Sequence, residues 1–240
     1  MADSDMAETN LENAVKLQAR QYQLEILERA KTQNTIAYLE TGVGKTLISV
    51  LLIKAKSAEL RKELPNRKCT MFLVPSVNLV YQQSHVLRTH TNLEVGHYCG
   101  DMDVDNWVIE KWKVELERNQ VFVMTAQIFL DNLRHSFMQM ERVNLIVFDE
   151  CHRAHGRHAY SQIMEGFYHT LERDKRPLIF GMTASPLSSA GALLSAGRLG
   201  RIWALRVERE LLRRWAHGGH RRAAGAQPGD GDGGLRVEGV

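Results

Sequence analysis

Apolar residues along this chain alternate between two patterns. One is a short continuous run, and the other is a spacing of three and four. The runs at residues 35–39, 69–74, 95–98, 121–124, 145–148 and 178–182 read as strands buried on both faces. Between them, helical spacing predicts helices over 47–55, 77–88, 104–118, 128–138 and 160–169. An earlier helix is expected from Leu11, Val15, Ala19, Tyr22 and Ile26. Strands that alternate with helices predict an α/β fold, a mostly parallel sheet flanked by helices on both faces. Ligands of such sheets gather at the carboxyl ends of the strands, so the residues just after each run are the candidates for chemistry.

Composition refines this picture without changing it. An apolar fraction of 44% over 240 residues permits a sizeable core. The net charge of +3 is unevenly distributed. From Ser188 onward there are nine arginines against five acids, which leaves 22 basic and 23 acidic residues before it. The body is near neutral, so any nucleic-acid contact must use a local surface rather than a global field. No lysine follows Lys175, and no Phe, Tyr, Thr, Asn, Met or Cys follows Leu187. The expected organisation is a disordered leader over 1–10, a folded domain over 11–187 and a poorly structured Arg/Gly/Ala-rich tail over 188–240. The tail favours residues with GC-rich codons, which suggests intron read-through or a shifted frame; the alternative is a low-complexity linker.

Cys69, Cys99 and Cys151 have no paired spacing, which suggests reduced thiols in an intracellular protein of nucleus or cytoplasm. The acidic, polar start is not a signal peptide. No apolar stretch reaches the roughly 18 to 20 residues that span a bilayer, so no membrane association is expected.

Two strand exits carry the chemistry. After the first run comes Glu40-Thr41-Gly42-Val43-Gly44-Lys45-Thr46. Glycines at 42 and 44 let backbone N–H groups crowd against phosphate oxygens. Lys45 offers a point charge to the β- and γ-phosphates, and the Thr46 hydroxyl is a candidate Mg²⁺ ligand. Leu39 stands where the strict phosphate-loop pattern has glycine, a departure common in helicase-type loops. After the fifth run comes Asp149-Glu150-Cys151-His152. Asp149 is placed to hold Mg²⁺ and Glu150 to act as general base on a water. Together the two elements indicate a nucleotide-hydrolysing domain using Mg²⁺, and the Asp-Glu-Cys-His spelling points to the helicase branch.

Weaker signals surround these. Cys151, His152, His155 and His158 fit no usual zinc spacing, and a zinc ion would compete with the magnesium carboxylates. His152 reads instead as a relay to Thr183-Ala184-Ser185, whose hydroxyls are placed to sense the γ-phosphate; His155 and His158 read as solvated loop residues. Arg61, Lys62, Arg67 and Lys68 read as a solvated basic loop, with a nuclear signal as the alternative. Trp107 and Trp112 are expected to pack helices. Gly197-Arg198-Leu199-Gly200-Arg201 imitates a helicase arginine motif, but a second lobe needs at least ~100 residues before it.

These residues resemble the amino-terminal helicase region of Dicer-like ribonucleases, plant-type, within helicase superfamily 2. The resemblance is carried by Ala19-Arg20-Gln21-Tyr22-Gln23, the segment Leu39 to Thr46, Phe72-Leu73-Val74-Pro75-Ser76, Leu79-Val80-Tyr81-Gln82-Gln83, Gly96-His97-Tyr98-Cys99-Gly100, Thr125-Ala126-Gln127, Asp149 to His152 and Phe180-Gly181-Met182-Thr183-Ala184-Ser185-Pro186. It implies a three-layer RecA-like (P-loop) domain and an ATP-dependent RNA motor, with Gln23 on the adenine edge. It also implies that Pro75, Ser76, Gly100, Thr125 and Gln127 lie along the backbone of one strand of double-stranded RNA. A second RecA-like lobe, bearing an arginine finger, is the implied partner absent from this chain. Two alternatives stay open on residues alone: the helicase lobe of an innate RNA sensor, and a non-catalytic fragment that binds RNA or a partner.

Overall fold

The computed structural model describes residues 19–184 apart from Thr41 and His155. Six strands form one sheet: β1 (Thr35–Tyr38), β2 (Cys69–Val74), β3 (Val95–Tyr98), β4 (Val121–Thr125), β5 (Val143–Phe148) and β6 (Leu178–Thr183). Their order is β1-β6-β5-β2-β4-β3, and every pairing is parallel. All six therefore leave the sheet along the same edge. The longer helices are α1 (Gln21–Ala30), α2 (Lys45–Ala55), α3 (Val77–His90), α4 (Ile109–Arg118), α5 (Ala126–Arg134) and the short α6 (Ala159–Ile163). Burial splits into two apolar clusters, one on each face of the sheet. One gathers Met71, Phe122, Ile146 and Trp112. The other gathers Phe72, Val147, Phe180 and Leu52. Alternate residues of one strand feed opposite clusters, as a two-sided sheet demands. The expected α/β architecture is what the chain adopts.

The strands expected from apolar runs form within a residue or two of their expected ends, but three helices differ. The one expected over 104–118 breaks. Val104–Asn106 is a single 3-10 turn, Trp107 and Val108 are extended, and only Ile109–Arg118 is α-helical. The indole of Trp107 packs 5.9 Å from the Tyr98 ring and 5.0 Å from Trp112, which a continuous helix would pull apart. The helix expected over 128–138 starts at Ala126 and stops at Arg134. Ser136 takes a left-handed φ of 59°, and Phe137 N–H turns back to Asn132 O at 2.9 Å, a Schellman-type end. The helix expected over 160–169 becomes α6 followed by a π-turn, Met164–Tyr168. The wider turn seats the Tyr168 hydroxyl 2.8 Å from Asn34 Nδ2.

Two smaller expectations also change. Arg67 and Lys68 are not simply solvated. Arg67 Nη2 donates to Leu116 O and Glu117 O at 2.6 Å each, capping the end of α4, and Lys68 Nζ donates to Glu141 O. In α1 the fully buried positions are Gln23, Leu27 and Ala30, one residue away from the expected Tyr22 and Ile26, while Ile26 and Ala19 of the expected face pack half-buried against the same core. The expected leader and the tail over 188–240, with its arginine-motif imitation, lie outside the described residues. No helix among the described residues is long and apolar enough to cross a membrane.

Candidate functional site

The exits of β1, β6 and β5 stand side by side, because β6 lies between the other two in the sheet. The loop after β1 turns through two left-handed glycines, Gly42 at φ 84° and Gly44 at φ 87°. Side chains rarely adopt that conformation, so glycine is required where the loop curls. Gly44 is the N-cap of α2, and its carbonyl accepts the first helical bond from Leu47 N at 3.1 Å. The loop thus runs straight into a helix amino terminus, whose unpaired N–H groups suit an anion. Lys45 Nζ donates to Leu39 O at 3.0 Å, which holds the ammonium back over the loop. Thr46 follows it in the first turn of α2 and is half-buried. Thr41 lies outside the described residues.

Helix α1 braces this loop. Gln23 Nε2 donates to Val43 O at 2.9 Å, and its Oε1 accepts from Arg20 N at 2.8 Å. The side chain is only 3% exposed. A methyl added at Gly44 would lie 2.4 Å from Gln23 Nε2, a second reason for glycine there. The Tyr22 hydroxyl also donates to Val43 O, at 2.7 Å. Periodicity casts Tyr22 as a helix-face residue, and the Ala19–Gln23 segment implies a role for Gln23 alone, so the grip of Tyr22 on the loop is visible only in the fold.

At the β5 exit, pairing continues one residue past the strand, with Asp149 N donating to Leu73 O at 2.9 Å. The Tyr160 hydroxyl, 2.8 Å from Asp149 O and 3.2 Å from Leu73 O, buttresses the same turn. Glu150 then adopts a left-handed φ of 47°, unusual for a residue with a side chain. Its N–H donates to Asp149 Oδ1 at 3.0 Å. Burial first, and the Glu150 carboxylate second, push the Asp149 carboxyl up to about 6, while the Glu150 N–H and the Lys45 ammonium pull it down. The strands that Lys45 and Asp149 follow, β1 and β5, are separated in the sheet only by β6.

His152 Nδ1 lies 2.8 Å from Thr183 Oγ1 and 3.3 Å from Glu150 Oε2. The expected contact between the His152 turn and the β6 exit is thus present for Thr183; Ser185 lies outside the described residues. Cys151 points away from the site into the core, where a methyl at Gly181 would stand 3.0 Å from its sulfur. Burial pushes its thiol up. His158 is not merely solvated: its Nδ1 accepts from Tyr160 N at 3.2 Å and caps α6.

The candidates for RNA contact occupy the other half of the same edge. Pro75 and Ser76 follow β2, Gly100 follows β3, and Thr125 and Gln127 lie at the join of β4 and α5. Ser76, Gly100 and Gln127 are exposed, and Pro75 and Thr125 are half-buried. Gln127 Nε2 is held at 2.9 Å from both carboxylate oxygens of Asp131.

The family described as the res subunit of type III restriction enzymes matches residues 16–188. The chain is 55% identical over 185 residues to Endoribonuclease Dicer homolog 1 of Arabidopsis thaliana, covering 77% of this chain and 10% of that protein. It is 49% identical over 178 residues to Endoribonuclease Dicer homolog 2b of Oryza sativa subsp. japonica, covering 72% of this chain and 13% of the relative. The chain thus spans only a small part of the length of these relatives. Among solved structures it resembles the Pyrococcus furiosus Hef helicase domain, with a TM-score of 0.60 and 26% identity over 85% of this chain and 37% of that one. Parallel order, phosphate-loop geometry and sequence identity converge: the chain belongs to the family of the type III restriction enzyme res subunit, and its helicase region is Dicer-like.

Proposed function

We propose that the chain is the ATP-binding first lobe of an RNA helicase module in a Dicer-like double-stranded-RNA endoribonuclease, acting in nucleus or cytoplasm. The observation that carries this reading is that Lys45 and Asp149 follow strands with only β6 between them, at one edge of the sheet and beside a helix amino terminus, with the Lys45 charge favouring the ionised Asp149. The residues fit a magnesium nucleotide. Two left-handed glycines open the loop, and a mostly buried carboxylate, costly to ionise alone, gains from a cation. In this reading Gly42, Val43, Gly44 and Lys45 hold phosphates, with Thr41 beside them, and Thr46 and Asp149 hold Mg²⁺. Bound Mg²⁺ supplies charge neutralisation on the phosphates. Glu150 accepts the proton of the attacking water, with its carboxylate steadied by His152. His152 and Thr183, with Ser185 after it, link this turn to the β6 exit. Gln23 braces the loop with both ends of its amide, on Val43 O and Arg20 N, so reading the adenine edge requires it to release one of these contacts.

The RNA reading rests on Pro75, Ser76, Gly100, Thr125 and Gln127 sharing one edge, where contact with the sugar-phosphate backbone would ignore sequence. Only one wall of a two-lobed cleft is present among the described residues. An arginine finger from a second lobe is typically worth about 10³ to 10⁵ in rate, so this chain by itself binds Mg-ATP weakly and turns it over very slowly. Titrating the 240-residue chain with a fluorescent ADP analogue tests the reading. Saturable, magnesium-dependent binding that Lys45→Ala abolishes is expected. Equal binding by the Lys45→Ala chain would overturn it, and a fast RNA-stimulated ATPase would overturn the single-lobe argument.

A further inference from the structure

Val43 O is gripped twice. The Tyr22 hydroxyl donates to it at 2.7 Å and Gln23 Nε2 at 2.9 Å, both from the first turn of α1. A carbonyl oxygen has two lone pairs, and here both are occupied by protein donors. Val43 C=O and Gly44 N–H belong to one peptide unit. That unit is trans, since Leu64-Pro65 is the cis bond among the described residues. In a trans peptide the two groups point in opposite directions. Pinning the carbonyl toward α1 therefore turns the Gly44 N–H away from α1, to the side where the loop meets the amino terminus of α2. Among the described residues no backbone carbonyl accepts from the Gly44 N–H. Glycine at this unit makes the constraint meaningful, because without a Cβ the peptide would otherwise flip at little cost.

We propose that Tyr22 is a positioning residue for phosphate binding: its phenol, acting through the Val43 carbonyl, aims the Gly44 N–H into the phosphate cradle. This rests on the nucleotide reading above. Tyr22 touches no phosphate itself. Its hydroxyl decides which face of one peptide the ligand meets. The effect should therefore belong to the phosphate half of the nucleotide and spare the base.

The test compares the wild-type 240-residue chain with Tyr22→Phe, which removes only the hydroxyl. The melting temperature is recorded for both, so that a folding defect is seen as such. Loss of one tether predicts weaker binding of a fluorescent ADP analogue by about three- to tenfold. Inorganic pyrophosphate, used as competitor, should lose affinity in the same proportion, while adenosine should compete equally against both chains. In nucleotide-free ¹⁵N–¹H spectra the Gly44 amide should move more than those of α2 beyond its first turn. Unchanged ADP and pyrophosphate affinities in Tyr22→Phe would overturn the proposal, as would an unmoved Gly44 amide. Failure of the wild-type chain to bind either ligand would instead sink the nucleotide reading, and the amide spectrum would then decide whether the tether orients the loop.

Discussion

His152 Nδ1 and Thr183 Oγ1 lie 2.8 Å apart, joining the turn after β5 to the end of β6. Both ends are anchored independently. Thr183 is buried in register with Tyr38 of β1, and its carbonyl accepts from Leu39 N at 3.0 Å. One contact thus ties the acidic turn to the strand beside the phosphate loop. Thr183→Val keeps the shape and deletes the hydroxyl. It should cost about 0.5–1.5 kcal/mol, visible as a melting-temperature drop of roughly 2–4 °C per kcal/mol. Thr183→Ser, which keeps the hydroxyl, should lose less.

Asp149 gives a pH-dependent prediction. Its carboxyl moves from an ordinary 3.8 to about 6 in the fold, chiefly through burial. Between those values the folded chain holds a proton that the unfolded chain has released. Stability therefore falls as pH rises through this window and stays lower above it. Asp149→Asn removes the penalty, and at pH 7.5 the nucleotide-free variant should be more stable by an amount on the order of 2 kcal/mol. The advantage should shrink as pH falls from 6 toward 4. Thermal melts of both chains across that range check it; a constant difference would argue against an ionised buried Asp149. The same variant should lose magnesium-dependent nucleotide binding.

Gly181 sits where β6 passes beneath the acidic turn. A methyl there would stand 3.0 Å from Cys151 Sγ and 3.1 Å from Ile36 Cγ1. Gly181→Ala should therefore destabilise by about 1–3 kcal/mol through overpacking. Adding Cys151→Ala removes the nearest atom, so the double variant should be more stable than the sum of the two single changes implies. Additive losses in denaturant melts would show that the crowding comes from elsewhere.

All three thiols are buried and free. Burial pushes Cys69 up to about 12, so it stays protonated as well as inaccessible. Native chain at pH 8 should resist a maleimide reagent at Cys69, Cys99 and Cys151, and all three should react once urea unfolds it. Mass spectrometry of the labelled chain gives the count directly. Fast native labelling at Cys151 would mean that the turn after β5 opens readily.

The strands were legible because burial on both faces leaves an unbroken apolar run, as in 69–74, and because a parallel order forces helices between them. The phosphate loop and the acidic turn were legible for a related reason: close backbone approach demands Gly42 and Gly44, and charge demands Lys45, Asp149 and Glu150, so residue type itself carries the information. Helix ends were not, since Trp107 breaks one helix to reach Tyr98 and Asn132 ends another by accepting from Phe137, contacts that periodicity does not encode. Neither was the grip of Tyr22 on Val43, nor that of Tyr160 on Asp149. A phenol on a helix face reads the same whether it meets solvent, core or a carbonyl. Chain chemistry thus dictated which groups stand at the candidate nucleotide site. Which exits became neighbours, and which hydroxyl reached which peptide, followed from the strand order β1-β6-β5, because adjacency in a sheet is set by long-range packing that no local pattern records.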